Sequence, residues 1–478
     1  MPIESLNFQR FQEDRRAHWD AVARGNEGYT RWAAYYHHRL EQIFQFLIDP
    51  GQRVLEIGCG QGHLLAAVRP QSGVGVDFSR EMIRDAKRTY PDLGFIQGDG
   101  HQLPITGTFD YIILSDLLND VWDVQSLLAE VRRLSTLHTR VIITSYNRLW
   151  EPALALADRL DLANPNLYQN WLTVEDIQIL LYLADLELIH HWPEILWPLS
   201  TPLLAGFSNR FVARFWPFNH LALTHILVAR PAPAEPREAE NGVSVVIPAR
   251  NEAGNIPKLF ERMPEFELPA ELIFVEGHST DDTYDAIEKA IRTEERWECS
   301  LLKQEGNGKG DAVRHGFAHA RGDIFVILDA DLTVPPEDLP RFIETLISGK
   351  AEFANGVRLV YPMQDKAMRF ANLVGNKLFS MAFSWLLGQP IKDTLCGTKA
   401  MWRIDYDSVA RNRGYFGEVD PFGDFDLLLG AAKKRLKILD VPIRYRSRIY
   451  GDTNISRWKH GAQLLGMLFT AARKIKFV

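Results

Sequence analysis

The run Asp323-Ile-Phe-Val-Ile-Leu-Asp329-Ala-Asp331 constrains the fold of this chain more than any other stretch. Five consecutive apolar residues, Ile324 to Leu328, end abruptly in two carboxylates one residue apart. Apolar side chains on both faces of a strand need cover on both sides, as in the centre of a parallel sheet packed between helices. Ligands of such sheets gather at the carboxyl ends of the strands. Two carboxylates this close repel each other unless a cation lies between them. Taken alone, the same pattern also suits a polar turn, so its surroundings decide.

A chain of 478 residues exceeds what one hydrophobic core organises, and two domains are expected. The formal net charge of -7 argues against a general nucleic-acid binder. The three cysteines, Cys59, Cys299 and Cys396, are far apart and follow no disulfide or metal-ligand spacing, which suits a reducing cytoplasm. The first 20 residues are too charged for a secretory signal, and no uncharged apolar run is long enough to span a membrane.

After a helical stretch to about residue 50, strands and helices alternate. Arg53-Val-Leu-Glu56-Ile-Gly58-Cys-Gly60-Gln-Gly62 is a strand entering a glycine-rich turn. Gly73 to Asp77, Gly94 to Asp99, Phe109 to Leu114 and Arg140 to Thr144 follow as strands, and the natural architecture is a doubly wound parallel α/β sheet. An aromatic-rich, less regular region leads to a last strand near Leu221 to Val228. Residues 231–241, rich in Pro and lacking apolar periodicity, read as a stiff, solvated linker between an N-terminal domain, 1–230, and a C-terminal α/β domain, 242–478.

In the first domain the glycine turn lets backbone approach a ligand, and Asp77 ends the next strand about 20 residues on, where a carboxylate can accept both ribose hydroxyls. Glu56 beside the glycines suits a cationic amino group better than a pyrophosphate. These residues resemble the class I S-adenosylmethionine-dependent methyltransferases. The resemblance implies a Rossmann-like sheet in which Glu56, Gly58, Gly60 and Gly62 border the methionine part of S-adenosylmethionine, Asp77 the ribose and Asp99 the adenine. Asp116, Asn119 and Asp120 follow the fourth strand, where an acceptor can approach or where each can cap a helix.

The second domain repeats the theme of polar groups at strand ends. Its first strand closes in Pro248-Ala-Arg-Asn251-Glu252, its second in Glu276-Gly-His-Ser-Thr-Asp281, and Gly-Asn-Gly-Lys309 to Arg314 precedes the strand carrying Asp329 and Asp331. This order resembles family 2 glycosyltransferases of the GT-A fold. The resemblance implies a nucleotide-diphosphate sugar donor held by Pro248, Asn251, Glu252, Glu276, Lys309, Arg314, Asp329 and Arg457, with Asp329 and Asp331 facing Mg²⁺ or Mn²⁺. Oxygen ligands suit such hard cations. Where many relatives carry two acids this chain has Glu276-Gly277, which leaves the donor base open.

Ala371-Asn372 to Phe379 and Ile391 to Lys399 resemble the branch that uses polyprenyl-phosphate acceptors. Phe370, Val374, Leu378, Met381 and Trp385 recur every three or four residues, giving a helix face for a membrane surface or for packing on its own domain. Residues 433–478 hold twelve Lys or Arg against two acids, and Arg444, Arg446, Arg448 and Arg457 are placed to meet diphosphate or anionic headgroups. Asp424 and Asp426 stand where relatives carry a catalytic acid near the acceptor, either as a base or orienting a cation.

The expected protein is a bifunctional enzyme, a methyltransferase fused to a metal-dependent inverting glycosyltransferase. The alternative is a glycosyltransferase with a cofactor-binding sensor or scaffold domain. The expected setting is cytoplasmic, with peripheral contact at the inner face of the membrane and no nucleic-acid partner.

Overall fold

The computed structural model describes residues 3–25, 34–159, 167, 169–361, 370–416, 423–448, 450 and 457–478. It forms two compact units, Met1–Ala232 with Phe477–Val478, and Pro233–Lys476.

The first unit is built on strands β1 (Arg53–Ile57), β2 (Ser72–Asp77), β3 (Gly94–Gln97), β4 (Phe109–Leu114), β5 (Ser135–Tyr146), β6 (Leu186–Glu194) and β7 (Thr224–Pro231). Their order in the sheet is β3-β2-β1-β4-β5-β7-β6. The first five pair in parallel, whereas β7 runs antiparallel to both β5 and β6. The five strands expected to lie in parallel do so, and β7 makes the complete sheet mixed. Leu55 and Ile57 enter one core with Ile112, Val141 and Leu227, while Val54 enters the other with Ile113, Ile142 and Ile226. Both faces are covered, which is why β1 and β4 read as near-continuous apolar runs. The helix Val124–Arg133 shows how cover is attached. Asp123 caps it by accepting from the Gln125 and Ser126 amides, and Val124, Leu127, Leu128 and Val131 are buried. Such a cap contributes about 1 kcal/mol.

The second unit contains β8 (Val243–Ala249), β9 (Ala270–Glu276), β10 (Glu298–Lys303), β11 (Ile324–Ile327), β12 (Phe353–Val357), β13 (Lys399–Trp402) and β14 (Ile438–Pro442). The order is β10-β9-β8-β11-β13-β12-β14, with β13 antiparallel to both neighbours and the other pairs parallel. Ile324, Val326 and Leu328 pack on one face, Phe325 and Ile327 on the other, so the five-residue apolar run is buried on both sides. β8, β9 and β11 point their carboxyl ends the same way and deliver Glu252, Glu276, Asp329 and Asp331 to one edge.

The proline-rich stretch, expected to be solvated, packs against the second unit. The Arg237 amide donates to the Ile347 carbonyl at 2.8 Å, its guanidinium lies 3.8 Å from the Trp402 ring centroid, and Ala239 is buried. Among the described residues no helix is long and apolar enough to cross a membrane.

Candidate functional site

At the edge of the second unit's sheet, acids and cations interlock. Lys309, the first residue of the helix Lys309–His319, pairs with Asp329 at 2.7 Å. Asp331 accepts from the Thr333 amide at 3.0 Å and its hydroxyl at 2.7 Å, and its other oxygen accepts from Arg448 at 2.8 Å. Arg448 also reaches Glu252 at 3.2 Å, whose second oxygen accepts from Asn255 at 2.6 Å. Burial pushes the Glu252 carboxyl up to about 7, with Asp331 and Asp329 adding to the rise and Arg448 opposing it. Three carboxyls thus share one small region and are balanced by two basic side chains. That oxygen-rich donor set fits a hard divalent cation, with Asp329 and Asp331 as the residues that would hold it.

The loops around this cluster are tied to one another. Asn251, in the left-handed region at φ 57°, donates its amide to Ser279 Oγ and accepts from the Thr280 amide at 2.8 Å. Glu276 accepts from the Ser279 amide, so its carboxylate braces the turn, and Pro248 lies in β8 opposite Val275. Arg314 stands one turn into the helix Lys309–His319, 4.0 Å from Asp311. From the C-terminal side, the Arg446 amide bonds the Thr333 carbonyl at 2.9 Å and the Tyr450 hydroxyl bonds Asp281 at 3.3 Å. The Tyr450 ring lies so close to Gly254 that a Cβ there would come within 2.5 Å.

A buried network positions the floor. Asp393 is fully buried and accepts from Arg358 at 2.7 and 2.9 Å and from Asn376 at 2.9 Å. Lys399, also buried, donates to the Cys396 carbonyl at 2.6 Å and to Asn355 at 3.1 Å. Between them Gly397 is pressed against the ion pair: a Cβ on it would lie 2.1 Å from both Asp329 Oδ2 and Lys309 Nζ.

The two expected catalytic acids are placed differently. Asp426 is buried and pairs with Arg413 at 2.5 Å. Asp424 opens the helix Asp424–Lys433, and its side chain lies outside the described residues. Gly423 before it abuts Gly310, which brings the backbone at Asp424 beside the glycine-rich loop. Arg457 begins the helix Arg457–Ala471, and its side chain also lies outside the described residues.

In the first unit Gly58, Gly60 and Gly62 all have positive φ. Gly62 has no room for a side chain, since a Cβ would meet the Phe95 ring at 2.6 Å. Asp77 accepts from the Gly60 amide and the Ser79 amide, each at 2.9 Å, and burial pushes it up to about 6, with Asp120 and Asp20 adding to the rise. Glu56 is buried with Oε2 lacking a hydrogen-bond partner, and burial pushes it up to about 8. A buried, unpartnered carboxyl oxygen beside a glycine turn fits a cationic amino group such as that of S-adenosylmethionine. Asp99 accepts from the His101 amide at 3.0 Å and its ring at 2.6 Å, and from Gln12; despite partial burial these bonds hold it below the usual carboxylate range.

The helix Ile3–Arg24 supplies groups that the sequence did not flag. Arg15 and Trp19 donate to Asp120 at 2.8 and 2.7 Å, and Asp20 accepts from Ser79 Oγ and the Glu81 amide. Asp116, after β4 at φ 51°, accepts from Tyr36 at 2.8 Å and Thr144 at 2.7 Å, and burial raises its pKa.

Two α/β units each carry acids and glycines at the carboxyl ends of their strands. Residues 48–184 match the family model described as Methyltransferase domain, and residues 244–409 match Glycosyl transferase family 2. The chain thus joins a methyltransferase domain to a family 2 glycosyltransferase domain of α/β fold. It is 37% identical over 225 residues to the undecaprenyl-phosphate 4-deoxy-4-formamido-L-arabinose transferase of Proteus mirabilis, covering 46% of this chain and 64% of that protein. It is 30% identical to the dolichol-phosphate mannosyltransferase of Pyrococcus furiosus, covering 45% and 59%. The chain therefore spans somewhat less than two thirds of these relatives. A solved glucosyl-3-phosphoglycerate synthase from Mycobacterium tuberculosis, in complex with Mn²⁺ and uridine diphosphate, aligns over 49% of this chain and 80% of its own, at 20% identity and a TM-score of 0.37.

Proposed function

We propose that the chain is a bifunctional enzyme whose second unit, Pro233–Lys476, transfers a sugar from a nucleotide-diphosphate donor to polyprenyl phosphate, and whose first unit, Met1–Ala232 with Phe477–Val478, methylates from S-adenosylmethionine. The observation that carries the sugar-transfer reading is the cluster of Glu252, Asp329 and Asp331 under Lys309 and Arg448 at the carboxyl ends of β8 and β11. An acceptor oxygen attacks the anomeric carbon from the face opposite the leaving group, the anomeric C–O bond breaks, and the nucleoside diphosphate departs with the electron pair. Asp329 and Asp331 would hold a divalent cation, which would neutralise charge on that diphosphate. Lys309 and Arg448 provide further positive charge, while Asn251, Glu252, Glu276 and Arg314 frame the donor with Pro248 beside them, and Arg457 joins this set on the sequence resemblance alone.

A lipid phosphate is already ionised at neutral pH and needs no general base. The pairing of Asp426 with Arg413 supports that acceptor class, since it leaves the carboxylate engaged with a cation. Peripheral membrane contact is supported by the helix Phe370–Leu387, where Leu378 is 62% exposed and Met381 65%, on the same helical stripe as Val374 and Trp385. The test is transfer from labelled nucleotide sugars to polyprenyl phosphate, with and without Mn²⁺ or Mg²⁺. Metal-dependent transfer is expected, and transfer that persists unchanged in Asp329→Ala/Asp331→Ala would sink the metal role.

For the first unit, Glu56, Gly58, Gly60, Gly62, Asp77 and Asp99 form the cofactor site. A second reading, cofactor binding without methyl transfer, is favoured by the way Asp116 and Asp120, where an acceptor would approach, are engaged by Tyr36, Thr144, Arg15 and Trp19. Methyl transfer to an extracted lipid or glycan separates the two.

A further inference from the structure

We infer that the first unit carries a bilayer-docking surface, formed by residues 203–221 together with Phe477. This stretch is short helices and turns, and it exposes large apolar side chains at a density that a solvated surface does not favour. Leu203 is 91% exposed, Trp216 78% and Phe207 61%, and Leu204, Phe215, Phe218 and Leu221 are exposed beside them. The rings are continuous: Phe207 lies 5.8 Å from Phe211, Phe211 5.4 Å from Phe477, and Phe477 6.3 Å from Phe215. Leu203 is held at φ 63°, a conformation unfavourable for leucine, with its side chain projecting into solvent.

Charge identifies the occupant. In a protein with 61 acids, no Asp or Glu occurs between Glu194 and Glu235, whereas Arg210 and His220 are exposed within the ridge. Arg214 does not contribute, being buried against Glu194. Arg210 donates to the Phe477 carbonyl at 2.8 Å, a neutral partner that leaves its charge available. Trp and Phe with isolated cations and no acids is the composition of a surface that enters the headgroup region of an anionic bilayer. The surface belongs to the first unit and uses none of the residues of the sugar-transfer reading.

Co-sedimentation of the full chain with vesicles of phosphatidylcholine, with and without phosphatidylglycerol, tests the inference. The expected result is partitioning that strengthens with phosphatidylglycerol and falls about 30-fold or more in Leu203→Ser/Phe207→Ser/Trp216→Ser, each fully transferred side chain accounting for roughly ten-fold. Leu378→Ser/Met381→Ser, measured in parallel, reports on the other unit, so failure of the membrane reading there is distinguishable. If the triple variant does not fold, Arg210→Glu alone is expected to abolish the preference for phosphatidylglycerol. Unchanged partitioning of the ridge variants overturns the inference, as does a wild-type protein that binds no vesicle. A dimer that the triple variant dissolves, without vesicle binding, overturns it in favour of a second copy as the occupant.

Discussion

Gly397→Ala separates the chemistry of the second unit from its stability. The added Cβ would sit 2.1 Å from Asp329 Oδ2 and from Lys309 Nζ, where ordinary contact begins near 3.4 Å. The two groups have to retreat by about 1 Å or more. Both are ends of partly exposed side chains, so they can swing away, and their ion pair contributes about 1 kcal/mol or less. The fold therefore loses little, with a melting shift of about 2–4 °C expected for a unit of this size. The site loses much more, because a displacement of about 1 Å in a positioned group costs on the order of 100-fold in rate. That corresponds to about 2.7 kcal/mol of transition-state stabilisation. The assay is kcat/KM for sugar transfer, with melting and S-adenosylmethionine binding as controls. Transfer at the wild-type rate in a folded Gly397→Ala protein would refute the argument that Asp329 and Lys309 act from this geometry.

Arg448→Gln removes the cation shared by Asp331 and Glu252, and Mn²⁺ binding to the donor-free protein, followed by electron paramagnetic resonance, should tighten about five-fold; weaker Mn²⁺ binding would show that Arg448 does not compete for those oxygens. Asp77→Asn cannot accept from both Gly60 and Ser79, so S-adenosylmethionine affinity should fall by about ten-fold or more in calorimetric titration, with about 1 kcal/mol lost in stability. Glu56 is held neutral by burial, with a folded pKa of about 8 against an ordinary value near 4.5. Its proton is bound more tightly in the folded state, so this contribution to stability is full below about pH 4.5 and is lost as pH rises through 8. Binding of the cationic cofactor should reverse that preference and release a proton, so affinity should rise from pH 6 to 8, and buffers of differing ionisation enthalpy should report the release. A pH-independent affinity would remove Glu56 from the cofactor site.

Much of this architecture was legible because buried strands ending in acids leave a strong imprint. The runs at Arg53 to Ile57 and Ile324 to Leu328 are apolar on both faces, and Glu56, Asp77, Asp329 and Asp331 follow from where such strands stop. The reversal of β7 between β5 and β6 was not legible, since strand direction depends on the irregular residues 195–223 and not on the strand's own composition. The helix Ile3–Arg24 was recognised as a helix, yet Gln12, Arg15, Trp19 and Asp20 resemble a solvated polar face until Asp99, Asp120 and Ser79 are brought opposite them. Asp426 illustrates the converse: its neighbours in sequence suggest chemistry, but Arg413, on another element, engages it. Arg448 stood out only as part of a basic run, and its role emerged from the meeting of β8 and β11.

The most direct test of two independent ligand centres in one chain is calorimetric titration with S-adenosylmethionine, and separately with Mn²⁺ and nucleoside diphosphates, of the wild type, Asp77→Asn and Asp329→Asn/Asp331→Asn. Asp77→Asn is expected to weaken the cofactor alone and the double variant to weaken the metal-dependent diphosphate alone. Diphosphate binding that needs neither metal nor Asp329 and Asp331, or one variant that abolishes both ligands in a folded protein, would contradict it.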